Sequence, residues 1–336
     1  VYIILAILAF SILIVGHELG HFTLAKINGV KVEEFSLGMG PKIIGIKGKE
    51  TEYLIKALPI GGYVKMLGEE ESTSDHRAFS NKSPLRRISV IAAGPIMNFI
   101  LAIILFAIIS FNNGFVVNKI SEIIDNSPAQ KVGLKAGDEI TKVNNKKITT
   151  WEDFTTEIYT ANGNSLSLEI NREGKKQTIS ITPEKSAEDN RYIIGIRPSK
   201  VESPSIGESI KYGFNESISL IKQTFVALKT LFSGKASIND VGGPVTIIKA
   251  TGTAAKAGID SLMWFSAYLS VQLAVFNLLP FPALDGGWIL LLFIEFISRR
   301  KISDKVVSTL NYIGFSLLIG LMVIVTIKDI LFPIKF

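Results

Sequence analysis

The sequence has no cysteine and only three histidines, His17, His21 and His76. The first absence excludes disulfides, thiolate metal sites and a cysteine nucleophile. A metal ion, if held, must therefore take its ligands from His, Asp and Glu. Excess charge of one sign is also scarce. Thirty-six Lys and Arg against 30 Asp and Glu leave +6 over 336 residues. That small excess fits loops flanking apolar runs better than a nucleic-acid footprint, so no nucleic acid is expected as a partner. The apolar N-terminal stretch lacks a basic leader, and no Ala-x-Ala-like site follows it, so it reads as a retained span rather than a removable signal peptide.

Apolar residues are plentiful. Hydrophobic residues make up 47% and charged residues 20%, with a mean hydropathy of +0.35. They cluster in four runs: Val1 to Ala25, Ile88 to Phe111, Leu262 to Ile297 with breaks at Pro280, Pro282 and Gly286-Gly287, and Leu310 to Ile327, extending toward Phe332. Each is long enough to cross roughly 30 Å of hydrocarbon at about 1.5 Å per residue. The expected fold is a polytopic α-helical membrane protein with four transmembrane helices and one inserted extracytoplasmic β-rich domain. Eleven Lys and Arg lie between Lys26 and Arg87, and Arg299, Arg300, Lys301 and Lys305 follow the third run. Both loops are expected on the cytoplasmic side, with the termini and segment 112–261 outside.

The inserted segment alternates like paired strands at Leu166 to Ile170 and Gln177 to Ile181, and Val143 to Ile148 has the look of a hairpin. Its run Ser127-Pro128-Ala129 through Gly133-Leu134-Lys135-Ala136-Gly137-Asp138-Glu139-Ile140 is similar to the PDZ domains of bacterial proteases, which bind extended peptides at a sheet edge. From Ser205 to Leu231, Ile210, Phe214, Ile218, Ile221, Phe225, Leu228 and Leu231 recur at helical spacing. This amphipathic helix would lie on the outer leaflet or pack on the β-rich domain. The expected divisions are 1–113 (two spans and a cytoplasmic loop), 114–186 (the PDZ domain), 187–261 (a linker carrying the amphipathic helix) and 262–336 (the last two spans).

His17-Glu18-Leu19-Gly20-His21 is an HExxH motif. Positions i and i+4 of a helix face one way, so both imidazoles can reach one zinc ion, and Glu18 lies next to that face as a general base. Ionisable groups at the end of a membrane helix are costly and usually functional. A catalytic zinc takes three protein ligands. His76 adjoins a polar loop and is a poor third. Of the carboxylates in the apolar runs, Glu295 sits near Arg299-Arg300, where an interfacial charge is ordinary. Asp285 remains, in Leu279-Pro280-Phe281-Pro282-Ala283-Leu284-Asp285-Gly286-Gly287, where non-helical backbone at membrane depth implies burial in protein or a wet cavity.

HExxH in a first span and Asn277-Leu278-Leu279-Pro280 to Asp285-Gly286-Gly287 in a third resembles the site-2 protease family of intramembrane zinc metalloproteases. The likeness is closest to the bacterial regulator-of-sigma-E protease branch, here with a single PDZ domain. Phe35 to Pro41, Leu58 to Met66, Ala93-Gly94-Pro95-Ile96-Met97-Asn98-Phe99 and Gly242-Gly243-Pro244-Val245 agree with it. The resemblance implies one Zn2+ held by His17, His21 and Asp285, a catalytic Glu18, and an Asn277 that holds substrate backbone. It also implies a place in a bacterial cell membrane with the active site toward the cytoplasm. The substrates it implies are single-span membrane proteins such as anti-sigma factors or signal-peptide remnants. Leu54 to Leu67, with Gly61 and Gly62 at its centre, is expected to form a hairpin dipping toward the bilayer whose edge pairs with an unwound substrate. The rivals to an enzyme are a membrane-bound PDZ scaffold without chemistry and a zinc transporter or sensor.

Overall fold

The computed structural model describes residues 2–69, 73–186, 191–234 and 242–333. The helices among them are α1 (Tyr2–Ile27), α2 (Pro84–Asn113), α3 (Pro128–Lys131), α4 (Trp151–Ala161), α5 (Ile206–Phe232), α6 (Pro244–Ala257), α7 (Ile259–Asn277), α8 (Asp285–Ser298) and α9 (Asp304–Leu331). The strands are β1 (Val32–Lys47), β2 (Glu52–Met66), β3 (Phe115–Ile123), β4 (Glu139–Val143), β5 (Lys146–Lys147), β6 (Leu166–Arg172), β7 (Lys175–Ile181), β8 (Glu184–Lys185), β9 (Tyr192–Ile193) and β10 (Ile196–Val201). The chain divides into two compact units, Val1–Ala102 with Lys229–Phe336, and Ile103–Leu228.

Four helical stretches are long and apolar enough to cross a membrane: Ile7–Ile27, Pro84–Asn113, Ile259–Asn277 and Asp304–Leu331. The third apolar run is not one helix. It ends at Asn277, and α8 opens afresh at Asp285. Pro280 and Pro282 remove two backbone donors, and Ala283 adopts a left-handed φ of 72°. The Ala283 N–H donates to Asn311 Oδ1 of α9 at 3.3 Å, which anchors the turn that presents Asp285.

Strand β2 does not fold on itself as the expected Leu54–Leu67 hairpin. Phe35, Ser36 and Leu37 of β1 each pair on both sides, with Tyr53, Leu54 and Ile55 on one and with Val64, Tyr63 and Gly62 on the other. The two halves of β2 therefore flank β1, and the left-handed φ of 83° at Gly61 makes the corner between them. Glu295, expected as an ordinary interfacial charge, is buried and paired. Its Oε2 accepts from Arg87 Nη1 at 2.8 Å and its Oε1 from the Ile302 N–H at 2.9 Å. Asp329 is buried too. Its Oδ2 accepts from the N–H groups of Gly243 and Thr246, at 3.0 and 2.9 Å, which satisfies orphan donors at the start of α6.

The second unit holds an antiparallel sheet in the order β10-β3-β4-β6-β7, with β5 on β4. Its turns at Asn144-Asn145 and Glu173-Gly174 have positive φ at both residues, as tight hairpins require. Alternate residues Leu166, Leu168 and Ile170 face inward and pack with Ile120, Ile140 and Phe154. Each such burial is worth about 1.5–3 kcal/mol. The sheet does not stop at residue 186, because β10 pairs with β3 from Ile196 to Val201.

Helix α5 does not pack within its unit through its apolar stripe, and the exposure of that stripe is what the outer-leaflet alternative requires. Its buried stripe is Ser209, Gly213, Glu216, Ser217, Leu220 and Thr224, while Ile210, Phe214 and Phe225 are exposed. Polar pairing decides the orientation. Ser219 Oγ donates to Asp153 Oδ1 at 2.7 Å, Thr150 Oγ1 donates to Ser219 Oγ at 3.0 Å, and Lys222 Nζ lies 3.1 Å from Asp153 Oδ2.

Candidate metal centre

His17 and His21 lie one turn apart on α1 and turn the same way. Their Nε2 atoms are 3.1 Å from each other. Asp285 Oδ2, at the first position of α8, is 3.2 Å from His17 Nε2 and 3.7 Å from His21 Nε2. Ligand atoms about 2.0–2.1 Å from a tetrahedral zinc stand roughly 3.3 Å apart, so the three separations match a zinc-sized hole. Asp285 Oδ2 is buried and no hydrogen-bond donor satisfies it. Among the described residues this is the only group of three or more His, Asp or Glu whose ligand atoms all lie within 4.8 Å of one another. Two imidazoles and a carboxylate suit zinc by donor type as well as by spacing.

Helix α2 makes room for the two rings. A Cβ on Gly94 would fall 2.3 Å from His21 Nε2, and one on Gly20 would fall 2.2 Å from the Ala93 carbonyl oxygen. Only glycine permits both approaches. His21 Nδ1 lies 2.9 Å from the Val90 carbonyl oxygen, and His17 Nδ1 lies 3.2 Å from Asn98 Nδ2. Val90 and Asn98 were missed as site residues in the sequence. Asn98 had a readable signal, being a polar amide inside an apolar run, and the structure buries it fully. Val90 acts through its backbone, which no side-chain pattern reveals.

Glu18 sits beside β2. The Val64 backbone amide hydrogen-bonds its carboxylate, and it feels the charges of His17 and Asp285. A Cβ on Gly62 would lie 3.1 Å from Glu18 Cγ, so the strand after the Gly61 corner passes directly over this side chain. Asn277 is the last residue of α7, partly exposed, and its amide makes no hydrogen bond among the described residues. His76 is exposed, with only Asp75 beside it, and takes no part.

The profile of Peptidase family M50 matches residues 5–321. The chain belongs to Peptidase family M50. A protein of Clostridium acetobutylicum named as a candidate zinc metalloprotease is 51% identical over 334 residues, covering 99% of this chain and 98% of that one. The protein of Enterococcus faecalis named as a probable protease is 34% identical, covering 98% of each chain. The regulator of sigma-W protease RasP of Bacillus subtilis is 30% identical over 412 residues and again covers 98% of each. A PDZ domain of the SdrC-like protein of Listeria innocua overlays 27% of this chain and 99% of its own at 20% identity, with a TM-score of 0.24. This M50 peptidase is a zinc metalloprotease and a membrane protein with four apolar candidate spans.

Proposed function

We propose that this M50 peptidase hydrolyses peptide bonds within or next to transmembrane segments, using one zinc held by His17, His21 and Asp285 and a proton carrier in Glu18. What supports the ligand set is the convergence of two imidazole nitrogens and one carboxylate oxygen that no donor satisfies. When bound, zinc supplies Lewis acidity to the scissile carbonyl and to a water molecule. Glu18 takes the proton of the attacking water and returns it to the leaving amide nitrogen. A helical substrate hides its carbonyls in hydrogen bonds and must unwind first. The strand from Gly62 to Met66 pairs with the unwound segment, with Gly61 making the corner and Asn277 donating to the substrate backbone. The proximity of Gly62 to Glu18 supports that path.

In this reading the protein is a multi-pass protein of a bacterial cell membrane, and the relatives named above are all bacterial. The Lys26–Arg87 loop and the metal centre lie toward the cytoplasm, and the unit containing β3 to β10 lies outside as a PDZ domain that admits an extended peptide at a sheet edge. Substrates are single-span membrane proteins. The name of the Bacillus relative favours anti-sigma factors, and signal-peptide remnants are the second class. The test is cleavage of a membrane-anchored reporter in detergent. Glu18→Gln and a zinc chelator should each abolish product, and liposomes carrying the parent should show no metal flux. A Glu18→Gln protein that cuts like the parent would sink the proposal.

A further inference from the structure

We infer that Asn98 is a positioning residue for the metal centre: its side-chain carbonyl accepts the Nδ1–H of His17 and so fixes that ring with Nε2 facing the metal. The inference rests on the ligand set proposed above and adds a group to it.

The geometry starts from a stripe on α2. Val90, Gly94 and Asn98 are spaced by four, so they share one face of the helix. That face meets His17 and His21, also spaced by four, on α1. Gly94 leaves the gap that both rings fill, since a Cβ there would be 2.3 Å from His21 Nε2 and 2.8 Å from His17 Cε1. The residues one turn to either side of Gly94 then face the outward nitrogens. Val90 brings its carbonyl oxygen to His21 Nδ1 at 2.9 Å, and Asn98 brings its amide to His17 Nδ1 at 3.2 Å.

Proton counting decides which end of that amide faces the ring. Both Nε2 atoms converge on Asp285 Oδ2 and must offer lone pairs to a metal. A neutral imidazole with a lone pair on Nε2 carries its proton on Nδ1. Both Nδ1 atoms are therefore donors, and each needs an acceptor. His21 has one in the Val90 carbonyl. His17 has only Asn98. With Nδ2 toward the ring, two donors face each other, and Asn98 Oδ1 is left fully buried without a partner. A half-turn of the amide turns the facing donors into a hydrogen bond: Oδ1 accepts from His17 Nδ1–H, and Nδ2 takes the buried place that Oδ1 held. Amide ends are assigned by such networks. The Asn98 backbone is fixed independently, because Ser270 Oγ of α7 donates to its carbonyl oxygen at 2.7 Å. Outer partners of this kind fix ring orientation and raise ligand basicity.

The test measures zinc affinity of the detergent-solubilised full chain by chelator-buffered titration, alongside His17→Ala, Asn98→Leu and Asn98→Asp. Leucine keeps the volume and removes the acceptor. Aspartate can only accept when ionised. The expected order has Asn98→Asp at or above the parent and Asn98→Leu about 10–100-fold weaker, with the metal-free Asn98→Leu protein melting no lower than the metal-free parent. Cobalt-loaded protein should show two exchangeable, paramagnetically shifted imidazole N–H signals, of which Asn98→Leu loses or broadens one. Parent-like zinc affinity in Asn98→Leu, or a tenfold or greater loss in Asn98→Asp, overturns the inference. Retention of zinc by His17→Ala instead overturns the ligand set itself.

Discussion

Each unit buries carboxylate oxygens that no donor reaches, and the two sites are not alike. Asp285 Oδ2 in the first unit stands beside two imidazole nitrogens at 3.2 and 3.7 Å. Glu216 in the second unit is fully buried with no donor at either oxygen, and its neighbours are Asp153, Tyr212 and Glu152, with whose carboxylate its protonated form hydrogen-bonds. An unpaired buried charge is too expensive to persist. The first unit sets its carboxylate beside two imidazole lone pairs, and the ligand set proposed above has all three share a cation. The second surrounds its own with further acids, and the escape there is a proton. Burial first, and then the repulsion of Glu152, push the Glu216 carboxyl up to about 9. Neighbours rather than burial decide between a metal site and a neutral acid.

The largest test of that contrast is removal of the metal-side carboxylate. Asp285→Ala should lose zinc affinity by more than the roughly 10–100-fold that outer partners cost, and should lose cleavage with it. Zinc content by mass spectrometry and the reporter assay read both. Retained zinc would erase the distinction between the two sites. A sharper probe leaves the metal alone. Gly62→Val pushes a side chain toward Glu18 Cγ and the Ser36 carbonyl oxygen, 3.1 and 2.9 Å from a Cβ at that position. Cleavage should fall up to roughly 10²-fold, as a displaced catalytic group costs, while zinc content stays at the parent's level.

On the proton side, the folded unit holds a proton on Glu216 that the unfolded chain releases from about pH 4.5, and the folded unit keeps it until about pH 9. Stability of the second unit therefore falls as pH rises through that window. Glu216→Gln should flatten the decline, measured by thermal melting from pH 5 to 9, and should leave zinc binding untouched. An unchanged slope would mean that the acid cluster does not hold this proton. The smallest effect is expected at Asp329. Asp329→Ala strips the acceptor from the start of α6 and should cost about 0.5–2 kcal/mol, the range of a lost helix cap. Denaturant unfolding of that variant checks it.

Much of this was readable in residues. Long apolar runs announce α1, α2 and α9, because lipid-crossing helices have few alternatives. Asn144-Asn145 and Gly174 mark tight turns through their tolerance of positive φ, which Glu173 adopts only because the hairpin requires it. Helix α5 was legible as a helix and misleading as a surface. Its apolar stripe is what periodicity detects, yet the face bound within its unit is the serine- and glycine-rich one, held by Asp153 and Thr150. The paired halves of β2 were hidden for a related reason: a strand segment does not declare which neighbour it bonds, and Gly61 sends the two halves of a run that looks like one hairpin to opposite sides of Phe35–Leu37.

The sequence by itself determined the local pieces, namely two histidines at helical spacing, an adjacent Glu18, and a third apolar run that Pro280 and Pro282 interrupt before Asp285. Each follows from bonded geometry within a few residues. Only the tertiary structure decided that Asp285 Oδ2 meets both imidazoles, that Gly94 leaves the space for them and that Asn98 faces the far nitrogen of His17. Those contacts join residues up to 268 positions apart, and distance along a chain carries no information about approach in space until packing closes the loop.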